Sequence, residues 1–267
     1  MSKKTKLFCL ILSLFIALCT LCACNDDDDN GLDYSKDHDF QVIVTDNSDA
    51  LTFAPKDANY AYGLIFYKRD FISASDYSYL GQALAKQGFL VVIPKFELSA
   101  YTDYAPVEKA FTDNPNVKFF VGGHSQGGGA AVRRSRENAD KIIGTIVFAP
   151  YFIDRLLYDE NGGMILDENN APVKIKDSIA DTTLPCLYVQ ASDDNFLPQS
   201  MKDMTRSRLS NACTSANIEG GTHSAFSSAA NDALGDGDPI TITAENQRQA
   251  TIQYTLAFMR AIVLCYI

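Results

Sequence analysis

No tryptophan occurs among the 267 residues, and histidine occurs only three times. Without an indole the chain lacks the usual platform for stacking on sugar rings. The shortage of histidine leaves little room for a cluster of imidazole metal ligands, and it makes the candidates for a general base countable: His38, His124 and His223. Basic residues are also few. Lysine and arginine number 23 against 33 aspartates and glutamates, a net charge of −10 at pH 7. Lys3, Lys4 and Lys6 lie in an N-terminal leader, so the body is more acidic still. Such a surface is repelled by phosphate backbones, which argues against nucleic acid as a partner. Of seven cysteines, Cys9, Cys19, Cys22 and Cys24 lie in or next to that leader. Cys186, Cys213 and Cys265 remain, an odd number without a Cys-x-x-Cys pair, so neither a thiolate metal site nor a disulfide framework is expected. Each of the three is expected to be a small buried hydrophobe, although an oxidising compartment would permit one bond.

Hydrophobic residues make up 46% of the chain and charged residues 21%, which places it among globular proteins. Leu7 to Ala23 carries no charge. That run is 17 residues long, short of the roughly 20 needed to span a bilayer, and it suits a secretory signal. Its end, Leu21-Cys22-Ala23-Cys24, resembles a bacterial lipobox. The resemblance implies removal of residues 1–23, acylation of Cys24, and tethering by lipid instead of a span. The following Asn25-Asp26-Asp27-Asp28-Asp29-Asn30-Gly31 is a self-repelling spacer within an acidic tether, residues 24–39. It also resembles the acidic export signal of surface lipoproteins, which implies an outer-membrane or cell-surface location.

Residues 40–267 read as one domain of alternating strands and helices, with no long linker and no repeat. Buried strands are predicted at Ala61–Tyr67, Phe89–Ile93, Val117–Val121, Lys141–Phe148, Pro185–Gln190 and Ser215–Ile218, with an outer strand at Phe40–Thr45. Helices are predicted over Ser75–Gln87, Val107–Phe111, Gln126–Glu137, Ser200–Leu209 and Ala244–Ile262. This order implies an α/β fold, a mostly parallel sheet with helices on both faces. Residues 154–181 break the pattern. They are polar, contain Asn161-Gly162-Gly163 and Asn169-Asn170, and read as a small inserted hairpin placed to act as a lid.

Val121-Gly122-Gly123-His124-Ser125-Gln126-Gly127 sets a Gly-x-Ser-x-Gly pattern between a strand and a helix. A serine at such a turn sits on strained backbone with its oxygen above the sheet, and the flanking glycines keep side chains out of the strand–helix crossing. No Walker lysine follows, which argues against a phosphate cradle. Of the three histidines, His38 precedes the first strand and His124 should point away from the serine oxygen. His223, in a loop just after a strand, is the candidate general base. The candidate carboxylate is Asp194, in Ala191-Ser192-Asp193-Asp194-Asn195-Phe196-Leu197-Pro198. It stands four residues before Pro198, and Asp193 is the alternative. The order serine, aspartate, histidine is that of an α/β hydrolase.

With these stretches, the chain resembles the α/β-hydrolase superfamily, and within it a compact bacterial family of dienelactone-hydrolase-like proportions. The resemblance implies a serine hydrolase of the carboxylesterase type, a monomer needing no cofactor or metal, acting on small-molecule or polymer-borne esters. It also implies an oxyanion hole from the backbone N–H of Gln126 and one N–H of the loop after Tyr67. Members usually carry Pro-Gly-Gly or Pro-Gly-Ala in that loop. Here Lys68-Arg69-Asp70 stands instead, and Asp70 or Arg69 is the expected donor. A surface binding protein on a degenerate hydrolase scaffold is the alternative reading, and acyl transfer or peptide cleavage would use the same triad. Tyr101, Tyr104 and Phe196 are candidate pocket residues, and Asp232, Asp236 and Asp238 read as a solvated turn without the spacing of a calcium loop.

Overall fold

The computed structural model describes residues 32–95, 105–138, 140–229 and 241–265. The leader with Cys24, the pocket candidates Tyr101 and Tyr104, and the acidic turn at 232–238 lie outside them.

The chain begins with a hairpin, β1 (Val42–Asp46) and β2 (Ala50–Pro55), and then enters β3 (Tyr62–Tyr67), in which every residue is buried. Successive side chains of β3 go to opposite faces. Leu64 and Phe66 join one apolar cluster and Ile65 and Tyr67 the other, as the two-residue period of a strand covered on both sides requires. Helix α1 (Ser78–Lys86) follows a 3₁₀ turn capped by Ser73, and Gly88, with φ of 94°, ends it. Then come β4 (Leu90–Pro94), α2 (Ala105–Asp113), β5 (Lys118–His124), α3 (Gln126–Glu137) and β6 (Ile142–Phe148). The insertion forms β7 (Arg155–Leu156) and β8 (Lys174–Ile175), and the main sheet resumes with β9 (Cys186–Ala191). Helix α4 (Gln199–Arg208), β10 (Cys213–Ile218) and α5 (Ala244–Leu264) complete the chain.

Eight strands form one sheet in the order β1-β2-β4-β3-β5-β6-β9-β10. Only the pairings of β2 are antiparallel; from β4 to β10 every neighbour is parallel. Helices α1 and α5 pack Leu80, Leu84, Phe258, Met259 and Val263 on one face, while α2 and α3 pack Val107, Phe111, Ala131 and Val132 on the other. The fold class expected from the alternation is therefore the one observed. Two expectations need correction. Strand β2 was not foreseen, because its run is broken by the partly covered Thr52 and Ala54 and it ends in a proline. Cys265 is exposed, unlike Cys186 and Cys213, because it caps the last helix instead of facing the core. No helix among the described residues is long and apolar enough to cross a membrane.

The insertion pairs β7 with β8 and adds two isolated bridges, Tyr158 with Met164 and Leu166 with Pro172. Its anchor is a buried ion pair. Asp177 accepts from Nε and Nη2 of Arg133 on α3, at 2.9 and 2.5 Å, and Arg155 reaches its other oxygen at 3.2 Å. Arg208 at the end of α4 holds Asp154 at 2.7 Å, and Arg136 grips Asp181 through two bonds. These ties run to the second half of α3 and the end of α4.

Candidate active site

Three loops at the carboxyl ends of β5, β9 and β10 carry the candidate residues. At the first, Ser125 has φ 56° and ψ −123°, a conformation costing a non-glycine residue about 1–3 kcal/mol. Its own backbone locks it there. The Ser125 N–H donates to Phe148, and its carbonyl accepts from Gly128, Gly129 and Tyr151. The flanking glycines are steric necessities. A Cβ on Gly123 would lie 2.2 Å from the Gly127 carbonyl oxygen, and one on Gly127 would lie 2.3 Å from that of Tyr67. The Gly-x-Ser-x-Gly spacing thus encodes the crossing of β5, α3 and the end of β3.

Asp194 and His223 meet. His223 Nδ1 lies 2.8 Å from Asp194 Oδ2, and both side chains are buried. The other carboxylate oxygen accepts from the Leu197 N–H at 2.9 Å. Lys202 Nζ donates to the Asp194 carbonyl. Burial pushes the Asp194 carboxyl upward, but the His223 hydrogen bond and charge, the Leu197 amide and Lys202 outweigh it and hold it below the usual carboxylate value. Asp193, the alternative, faces outward to Ser192 and Thr241 instead.

The two loops are tied together. Asp193 N–H donates to the Gly221 carbonyl at 2.8 Å, and Gly220 N–H to Ser192 Oγ at 2.8 Å. From α5, the fully buried Gln247 clamps Thr222 on both sides: Oε1 accepts its N–H at 2.9 Å, and Nε2 donates to its carbonyl at 2.7 Å.

With Nδ1–H directed at a carboxylate, His223 Nε2 is the basic nitrogen. It is buried and makes no hydrogen bond to any described residue, Ser125 included. Catalytic bonds of this kind are often long in unliganded sites. The rings of His223 and of His124, the residue before Ser125, are 4.7 Å apart. Above His223 the Phe196 ring stacks at 4.6 Å, and the Arg69 guanidinium lies 4.5 Å from the centre of Phe196. Ser125 and His223 are both almost wholly covered.

The other histidines fall out as elimination requires. His38 bonds to the Asp33 carbonyl and stacks on Phe40, on the outside of the sheet. His124 is fully buried, with Nδ1 2.8 Å from the Tyr77 hydroxyl. Burial, and then the neighbouring His223 and Arg69, hold it well below the ordinary imidazole value, so it is neutral. Tyr77, also buried, accepts from the Arg69 N–H at 3.2 Å. One phenol therefore joins the residue before the serine to the 68–70 loop. It also takes up the amide of Arg69, one of the two expected donors. Lys68, Arg69 and Asp70 are all buried, and the left-handed backbone that a glycine would have supplied is adopted by Phe71, at φ 63°. Tyr77 and Gln247 were not foreseen from sequence, where nothing marks a tyrosine or glutamine so far from the motifs.

Residues 63–170 match the model of the alpha/beta hydrolase family. No curated protein matches the chain. Among solved structures it is similar to a predicted CIB-like hydrolase of Thermoplasma acidophilum, at 15% identity and a TM-score of 0.53, over 83% of this chain and 98% of that one. It is equally similar to Est1E of Butyrivibrio proteoclasticus, at 15% identity and 0.53, over 82% and 98%. Est1E with ferulic acid bound matches at 14% identity and 0.53, over 81% and 99%. The sheet order, the strained serine between β5 and α3, and these likenesses together establish that the chain has the α/β-hydrolase fold.

Proposed function

We propose that the chain is a serine hydrolase that cleaves carboxylic esters. The observation that carries this reading is the Asp194–His223 pair, closed at 2.8 Å, delivered by two tied loops to the end of the sheet where Ser125 is held in its strained turn. Ser125 Oγ attacks the carbonyl carbon while His223 Nε2 takes its proton, and Asp194 stabilises the imidazolium that forms. Backbone N–H groups of Gln126, at the start of α3, and Asp70 hold the oxyanion. His223 then protonates the leaving alcohol, and water, activated by the same imidazole, releases the acid from Ser125. The ferulic acid bound to Est1E, a protein of this fold, supports a carboxylic ester as the substrate class. The leader supports a further part of the reading, that the mature chain begins at Cys24 and is lipid-tethered to a bacterial membrane, at the outer membrane or cell surface.

The test is Ser125→Ala, assayed on p-nitrophenyl esters of rising chain length. Turnover is expected to fall by at least about 10³ with thermal unfolding preserved. Unchanged cleavage by the folded variant would reject the assignment.

A further inference from the structure

Cys186 and Cys213 open the adjacent parallel strands β9 and β10, and they are direct partners in the register. In-register residues on neighbouring strands project to the same face, and both side chains lie in one apolar cluster, with Cys186 fully buried and Cys213 8% exposed. The Cys213 thiol donates to the Thr214 carbonyl at 3.6 Å. Adjacent strands run about 4.8 Å apart, inside the roughly 4.4–6.8 Å over which disulfides join α-carbons. Strand β10 lies at the end of the sheet order, with β9 as its one neighbour among the described strands.

We propose that Cys186 and Cys213 are a dithiol built to be oxidised to a disulfide, one that would staple together the two strands carrying Asp194 and His223. The oxidant is a small-molecule or protein disulfide. The Cys213 thiolate attacks one of its sulfurs, releases a thiolate and forms a mixed disulfide. Cys186, deprotonated as it reacts, then attacks Cys213 Sγ and expels the second thiolate. Two cysteine thiols and one disulfide thus become one protein disulfide and two free thiols, with no other electron acceptor. The surroundings favour this order of attack. Arg206 donates to the Cys213 carbonyl at 3.3 Å. The neighbouring Cys186 thiol, and then the Arg206 charge, lower the Cys213 thiol against its burial, while burial pushes the Cys186 thiol up. The inference does not depend on the hydrolase reading.

The experiment holds the full chain in native buffer with oxidised and reduced glutathione, then blocks free thiols and maps the peptides. A parallel sample is refolded from the reduced, urea-unfolded chain in the same buffer, so that burial cannot block access. A peptide linking Cys186 to Cys213 is expected in both. Closing a loop of this length is expected to raise the thermal midpoint by about 5–15 °C, reversibly with dithiothreitol and not in Cys186→Ser or Cys213→Ser. Peptide mapping separates this link from any among the leader cysteines. Free thiols at both positions in the refolded sample, or pairing of either with Cys265 or glutathione instead, would overturn the proposal.

Discussion

Gln247 tests whether the His223 loop is held by the last helix. Its amide makes two hydrogen bonds to the main chain of Thr222, at 2.9 and 2.7 Å, in a site closed to solvent. Replacement by leucine keeps most of the volume and removes both bonds, stranding a buried N–H and a buried carbonyl. Each stranded group costs about 1–3 kcal/mol, so Gln247→Leu should lose roughly 2–5 kcal/mol. For a domain of this size that is a fall of about 5–15 °C in the thermal midpoint. The loop carries His223 on the very next residue, and a displacement of about 1 Å at a catalytic group costs on the order of 10²-fold in rate. Ester hydrolysis assayed at 15 °C, well below the lowered midpoint, should therefore fall by about 10- to 100-fold in kcat with the protein still folded. A Gln247→Leu protein that melts and turns over like the parent would refute the reasoning, because the loop would then be held by its ties to the Asp194 loop alone.

Tyr77→Phe removes the hydroxyl shared by His124 Nδ1 and the Arg69 N–H. It should lower kcat on an ester about tenfold with little change in KM, since in the proposed mechanism the loop it steadies acts on the oxyanion and not on the bound ester; equal loss in both constants would point to a merely structural role. Asp177→Ala leaves Arg133 buried without its carboxylate and should cost about 3–5 kcal/mol in urea unfolding, whereas a loss under 1 kcal/mol would show that the insertion is anchored elsewhere. Asp194 has its folded pKa below the unfolded value, so the stability it contributes is complete above about pH 4 and lost as pH falls through the lower folded value. Urea unfolding from pH 6 to pH 2 should accordingly show a weaker acid dependence in Asp194→Asn than in the parent.

The motif region was legible because its chemistry is local. Gly123, Ser125 and Gly127 fall within five consecutive residues, and β5 and α3 followed from the apolar run and the helix-forming stretch on either side. Helix α3 appears over the predicted residues, and the other main elements shifted only at their ends. The pairing of His223 with Asp194 was legible by scarcity, since three histidines left one in a suitable loop, and by the spacing of Asp194 to Pro198. Contacts that depend on the assembled fold were not legible. Gln247 reaches Thr222 from 25 residues away, and Tyr77 reaches His124 from 47; neither lies near a motif or in a recognisable pattern. Strand β2 escaped for a different reason: antiparallel to both of its neighbours, it lacks the continuous apolar run that marked the inner parallel strands. The facing of Cys186 and Cys213 depends on the register of two strands separated by a helix, which periodicity does not reveal.

The central claim is that Ser125 is a nucleophile activated by His223. A fluorophosphonate probe tests it without knowledge of the substrate, because the probe bonds only to a serine oxygen made reactive by a base. Peptide mapping after labelling should place the adduct on Ser125, and His223→Ala should slow labelling by at least about 10² while remaining folded. An unmodified Ser125 beside a serine esterase labelled in the same tube, or labelling that proceeds undiminished in His223→Ala, would contradict the account.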